Sequence, residues 1–163
     1  MVEKLLGVIG GSGLYQMKGL EVIEKVNLDT PFGSPSDSII IGKLAGVKLA
    51  FLPRHGVGHV IPPSEINFRA NIFAMKKIGV ERIISVSAVG GMKENMPPGH
   101  FVVPHQFIDR TYKRISTFFT EGMVGHISMA DPVCLATAGT LFNAAQKSGA
   151  DVHEGGTYIC IEG

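Results

Sequence analysis

Apolar residues in this chain come in short runs broken by glycine and proline, not in long spans. Leu5 to Ile9 predicts a buried first strand that ends in a glycine turn. Leu20 to Asn27 reads as extended, and "DTPFGSPSD" (Asp29 to Asp37) is dense in turn formers. Ser38–Gly42 and Val47–Leu52 flank Ala45-Gly46, which predicts a hairpin whose second arm runs into Pro53-Arg54-His55-Gly56.

Pro62-Pro63-Ser64 predicts a helix start, with Ser64 as N-cap, Glu65 and Arg69 as an i,i+4 pair, and Gly79 past the end. Ile66, Ala70 and Phe73 share one stripe, which Phe68, Ile72 and Met75 widen into an ordinary core face. Arg82 to Gly91 ("RIISVSAVGG") reads as a buried strand running into another glycine turn, and "HFVVPHQFIDRT" as a further extended segment. Asp131-Pro132 predicts the start of a second helix that closes at Gly149, and "TYICIEG" predicts a last strand. Strands alternating with two helices predict an α/β fold. Because hairpins intervene before the first helix, a mixed twisted sheet flanked by helices fits better than a regular βαβ wind.

Composition narrows the function. The 163 residues are 45% hydrophobic and 18% charged, as expected for one folded domain spanning 1–163. The formal net charge is +1 and no basic run occurs, so a nucleic-acid or membrane-surface partner has no electrostatic basis. No run approaches a membrane span, and the opening "MVEKLLGVIGG" makes a poor signal peptide. Two cysteines, Cys134 and Cys160, are too few for a disulfide framework or a zinc ribbon, and fit buried thiols in a reducing cytoplasm. His55 and His59 have i,i+4 spacing, but Gly56 and Gly58 argue against a helical zinc pair, so no metal is expected. His59 reads as a loop hydrogen-bonder shaping the Arg54 turn, and His153 as solvent-facing.

The chemistry gathers at turns. "GGSG" lacks the third glycine of a dinucleotide fingerprint, where Gln16 stands, and lacks the lysine of a phosphate-binding P-loop. A generic nucleotide-binding module is therefore the weakest reading. Taken alone, the turn is equally a simple strand-to-loop connection with Ser12 solvated. Two further strand ends change the balance. Arg54 and His55 offer charged and neutral N–H donors suited to phosphate, and "SVSAVGG" offers Ser87 and the N–H of Ala88. Together the three look like one oxyanion site built from separate loops.

These stretches, "IGGSGLY", "DTPFGSPSD", "FLPRHGVGHVIPPSEINFRANIFAMKKIGV", "SVSAVGGMKE", "QFIDRTYKRISTFF" and "GHISMADPVC", resemble the bacterial-type 5′-methylthioadenosine phosphorylases of the trimeric purine nucleoside phosphorylase superfamily. The resemblance runs nearly the whole length of the chain and matches the N-terminal part of that family. It implies that Ser12, Arg54, His55 and Ser87 bind phosphate, with the Ala88 N–H beside the ribose and phosphate. It implies that His126 reaches a neighbouring subunit's 5′-alkylthio pocket in a homotrimer. The partners are then a small nucleoside and inorganic phosphate, with no cofactor. No catalytic acid is expected here, because the base-side carboxylate of the family comes later than "ICIEG".

Four positions depart from the family pattern. His100 and His105 stand where bacterial relatives commonly have aspartates and read as surface or turn variation; Gly91 replaces a serine and Val57 an arginine. The expected reaction is phosphorolysis of 5′-methylthioadenosine to adenine and 5-methylthioribose 1-phosphate. The alternatives are the same chemistry on methylthioinosine or a broader purine nucleoside, and an inactive truncated fragment that only binds phosphate.

Overall fold

The computed structural model describes residues 4–11, 13–14 and 17–162. The chain divides into two units: the described residues up to Ala88 with Ser116–Phe118, and Val89–Ile115 with Phe119–Glu162.

The first unit is a five-stranded mixed sheet. Its strands are β1 (Leu5–Gly10), β2 (Glu21–Val26), β3 (Ile39–Leu44), β4 (Val47–Pro53) and β5 (Val80–Ser85), in the order β2-β3-β4-β1-β5. β2, β3 and β4 pair antiparallel, whereas β1 runs parallel to both β4 and β5. The β3–β4 hairpin turns at Ala45 and Gly46, which have φ of 47° and 83°. Positive φ at both central residues suits the twist of the flanking strands.

Strand periodicity sorts the core onto two faces. Ile39, Ile41, Ala50, Leu52 and Ile9 face helix α1 (Phe68–Lys77), which contributes Ala74 and Met75. Ile40, Leu49 and Phe51 pack on the other face with Leu6, Val8, Leu14, Leu20 and Leu44. β4 is filled on both faces, which explains its unbroken apolar run.

α1 begins later than Pro62-Pro63-Ser64 predicts. Pro63–Glu65 form a single 3-10 turn, Ile66 is extended, and Asn67 is the true N-cap, its side chain accepting from the Ala70 N–H. Glu65 therefore lies outside the helix and has no i,i+4 geometry with Arg69, whose guanidinium lies over the Phe32 ring at 4.8 Å. Phe68 and Ile72, expected to widen the core face, are exposed. β5 also departs from expectation: it is mostly exposed and lies at one edge of the five-stranded sheet, where a buried strand was predicted.

The second unit holds β6 (Phe101–Val103), β7 (Gln106–Asp109), α2 (Leu135–Lys147), β8 (Val152–Glu154) and β9 (Thr157–Cys160). β6 pairs parallel with β8, and β7 with β9. The single extended segment expected over 100–111 is split at Pro104, which has no N–H for the ladder. α2 starts after Asp131-Pro132, with Cys134 as its N-cap, and both helices end at glycines of positive φ, Gly79 and Gly149. The thiols are not buried as expected: Cys134 is exposed at the helix start and Cys160 is half-buried at the end of β9.

Candidate functional site

Because β1 is parallel to β4 and β5, the carboxyl ends of these three strands lie on one edge of the sheet, where open α/β sheets bind ligands. Arg54 follows β4 and ties the three ends together. Its backbone N–H donates to the Gly10 carbonyl at 3.0 Å, and its Nη1 donates to the Val86 carbonyl at 2.9 Å. The Val86 N–H in turn donates to the Ile9 carbonyl at 2.9 Å. The guanidinium thus keeps further N–H groups for a ligand after one has fixed its direction. Close approach explains the glycine that ends β1: a Cβ on Gly10 would stand 2.3 Å from Leu14 Cδ1 and 3.3 Å from the Val86 carbonyl.

His55 is 7% exposed, and its Nδ1 lies 2.9 Å from the Ile61 carbonyl. A carbonyl can only accept, so Nδ1 carries the proton and Nε2 is the nitrogen left for a ligand. The ring stacks on His59 at 4.2 Å between centroids, with 22° between planes. His59 therefore shapes the turn by packing, in a non-helical loop that rules out a helical metal pair. Among the described residues, no cluster of three or more His, Cys, Asp or Glu side chains could hold a metal ion.

Ser87 and Ala88 follow Val86 directly and are exposed. Arg54, His55, Ser87 and Ala88 thus belong to one sheet edge, while Ser12 lies outside the described residues. His126 is exposed in an irregular stretch of the second unit.

Two structural partners of this site carry no strong sequence signal. Asp37 accepts the Val57 N–H through Oδ2 and the Ser38 N–H through Oδ1, both at 2.7 Å. Asn71, 3% exposed on α1, accepts the Ser36 N–H at 2.8 Å and donates to Ser36 Oγ at 2.9 Å. Only the density of turn formers over 29–37 hints at the first, and nothing local marks the second.

Two of the remaining histidines, His100 and His153, contact each other. His100 Nδ1 lies 2.9 Å from His153 Nε2, the rings are stacked, and His100 Nε2 lies 3.8 Å from Asp151 Oδ2. His153 is consequently half-buried where solvent exposure was expected, because the parallel β6–β8 pairing sets the two histidines side by side. His105 hydrogen-bonds through its backbone N–H to the Gly156 carbonyl at 3.0 Å, at the break between the strand pairs. No helix among the described residues is long and apolar enough to cross a membrane.

The chain is 58% identical over 163 residues to an S-methyl-5′-thioadenosine phosphorylase from Geobacter sulfurreducens, covering 99% of this chain and 57% of that protein. A Synechocystis protein of the same name is 55% identical over 166 residues, with 51% of its length covered. The chain thus spans little more than half the length of the relatives it matches. Among solved structures, a methylthioadenosine phosphorylase from an antarctic soil metagenomic library superposes with a TM-score of 0.94 at 48% identity, covering 99% of this chain and 57% of that one. The Schistosoma mansoni methylthioadenosine phosphorylase in complex with adenine gives 0.90 at 35% identity, covering 98% and 65%. These likenesses extend over both units, and the family model for the phosphorylase superfamily matches residues 5–163: the chain belongs to that superfamily.

Proposed function

We propose that the protein containing this chain phosphorolyses 5′-methylthioadenosine, releasing adenine and forming 5-methylthioribose 1-phosphate. The observation that carries this reading is the convergence of the β1, β4 and β5 ends on Arg54. Support comes also from relatives of 58% and 55% identity that bear the phosphorylase name. Ser12, Arg54, His55, Ser87 and the Ala88 N–H form the phosphate cradle, and phosphate is the nucleophile.

N-glycosidic cleavage passes through an oxocarbenium-like transition state, so the dianion must lie close beneath the anomeric carbon while the purine departs from the opposite face. Holding it there turns a bimolecular encounter into an effectively intramolecular one, which lowers the barrier by several kcal/mol. The Arg54 fork aims the phosphate, and the anion in turn stabilises the positive charge growing on the ribose. With Nδ1 committed to the Ile61 carbonyl, His55 accepts a hydrogen bond at Nε2 from the hydroxyl of a monoprotonated phosphate. That contact orients the hydroxyl and leaves a bare oxygen for attack. None of these steps calls for an organic cofactor or a metal.

The same reading assigns residues 1–163 to the phosphate-binding part of a nucleoside phosphorylase domain whose base-side acid lies later in the family's sequence. It makes the enzyme a cytoplasmic homotrimer in which His126 serves a neighbour's 5′-alkylthio pocket. The test is steady-state kinetics on the chain extended to the length of its relatives. Arg54→Ala removes charge-assisted hydrogen bonds of about 1.5–3 kcal/mol, so the phosphate KM should rise about tenfold or more while the nucleoside KM changes far less. An unchanged phosphate dependence would remove Arg54 from the site.

A further inference from the structure

The loop bearing Arg54 and His55 has an unusual backbone. Gly56, Gly58 and His59 have φ of 70°, 82° and 58°, three left-handed residues within four positions. The two glycines adopt these angles freely, so the strained residue is His59, which holds its angle only where the surroundings over-determine the loop. The loop supplies part of its own restraint, through Gly56 N–H to the Pro53 carbonyl, Ile61 N–H to the His55 carbonyl, and His55 Nδ1 to the Ile61 carbonyl. The Val57 N–H is held from outside: it donates to Asp37 Oδ2 at 2.7 Å, across 20 residues of sequence.

Asp37 is itself held. Its Oδ1 takes the Ser38 N–H, and the preceding residue, Ser36, is gripped at both N–H and hydroxyl by the buried amide of Asn71. One turn earlier on the same helix end, Asn67 donates to the Phe32 carbonyl at 2.6 Å. The loop also abuts this segment directly, since a Cβ on Gly56 would lie 3.4 Å from the Ser36 carbonyl. An unbroken series of contacts therefore runs from α1, through Ser36 and Asp37, to the loop that carries Arg54 and His55.

We propose that Asp37 is a positioning residue for phosphate, with Asn71 as its anchor; this rests on the phosphorolytic reading above. A carboxylate close to an anion-binding loop is unfavourable unless its charge is spent on fixed donors. Here each oxygen accepts a backbone N–H, so Asp37 holds the loop in shape and acts on phosphate only through Arg54 and His55. A positioning role of this kind alters the fit of one co-substrate, whereas a general loss of structure alters both.

The experiment uses the extended, active enzyme and three forms: wild type, Asp37→Ala and Asp37→Asn. Asp37→Ala should raise the phosphate KM about tenfold and leave the nucleoside KM within about twofold. Asp37→Asn keeps an oxygen that can accept the Val57 N–H and should recover most of that loss. Hydrogen exchange at the Val57 amide should speed up in Asp37→Ala and return toward wild type in Asp37→Asn. If Asp37→Ala does not fold, Asp37→Asn and Asp37→Ser carry the same comparison, the serine hydroxyl being too short to reach Val57. An unchanged phosphate KM, or equal rises in both KM values, would overturn the positioning role. Wild-type nucleoside cleavage that proceeds without phosphate would instead overturn the phosphorolytic reading itself.

Discussion

The two units differ in how firmly they are built. In the first, β3 and β4 are buried on both sheet faces, and Ile39, Phe51, Leu52 and Met75 are almost fully enclosed. In the second, Ala138 is the one buried residue of α2, and Phe101, Tyr112, Leu135 and Ile161 stand exposed. The proposed phosphate cradle sits on the first unit, and the histidine proposed to meet the 5′-substituent sits on the second. Aiming an anion within a fraction of an ångström demands groups locked by packing and supporting hydrogen bonds. Recognition of an apolar alkylthio group tolerates looser placement, since dispersion and desolvation are weakly directional. The exposed apolar side chains of the second unit are those of a chain that spans little more than half the length of its relatives.

The largest effect should come from separating the two contributions. Mixing Arg54→Ala with His126→Ala subunits of the extended enzyme should restore activity that neither homotrimer shows at low substrate. If the enzyme is the cyclic homotrimer proposed above, random assortment makes roughly a quarter of the sites intact. No recovery after co-refolding would place both residues in the same subunit's site.

Core substitutions test the contrast in packing. Leu52→Ala should cost about 2–5 kcal/mol in the first unit, because its buried side chain leaves a cavity. Leu135→Ala, at 62% exposure, should change stability by about 0.5 kcal/mol or less. Denaturant unfolding followed by a probe in each unit would read both. Comparable losses would mean that the second unit is better packed than its exposure indicates.

A smaller effect is expected at the start of α1. Asn67→Ala removes the cap bond to Ala70 and the tie to the Phe32 carbonyl, at a cost of about 1–2 kcal/mol. This residue also shows where sequence reading stops. Ser64 and Asn67 both have the chemistry of an N-cap, and the local pattern favours the one that follows two prolines. Asn67 wins because its amide also reaches the Phe32 carbonyl, a partner 35 positions away that no local window contains. The β3–β4 hairpin was legible for the opposite reason, since its signals, two arms and an Ala-Gly turn, are all local. The composition of β5 is that of a buried strand, yet burial depends on what packs on its two faces, which composition does not show. Arg54 and His55 could be found because their residue types advertise anion chemistry. Asp37 and Asn71 support them through bonds spanning 20 and 35 residues and leave no periodic trace.

The smallest effect belongs to Asp109 in the second unit. Its carboxylate accepts the Thr111 N–H at 2.8 Å, and hydrogen bonds from Thr111, helped by Arg114, hold its pKa below the ordinary carboxylate value. A lowered folded-state pKa contributes stability that is present above the unfolded value of about 3.9 and is lost as pH falls through the folded value. Asp109→Asn should therefore lower stability slightly near neutral pH and make no difference below the folded pKa, which flattens the acid limb of the stability curve. An altered stability at pH 7 much larger than an exposed carboxylate can supply would point to another role for the side chain.

The most direct measurement follows the phosphate oxygens. The extended enzyme is given 5′-methylthioadenosine and fully 18O-labelled inorganic phosphate, and the sugar product is weighed by mass spectrometry. If phosphate held by the Arg54 cradle is the nucleophile, the product is 5-methylthioribose 1-phosphate retaining every labelled oxygen, and adenine release stops when phosphate is withheld. Free 5-methylthioribose, formed at the same rate with or without phosphate, would show that water attacks instead and would contradict the account.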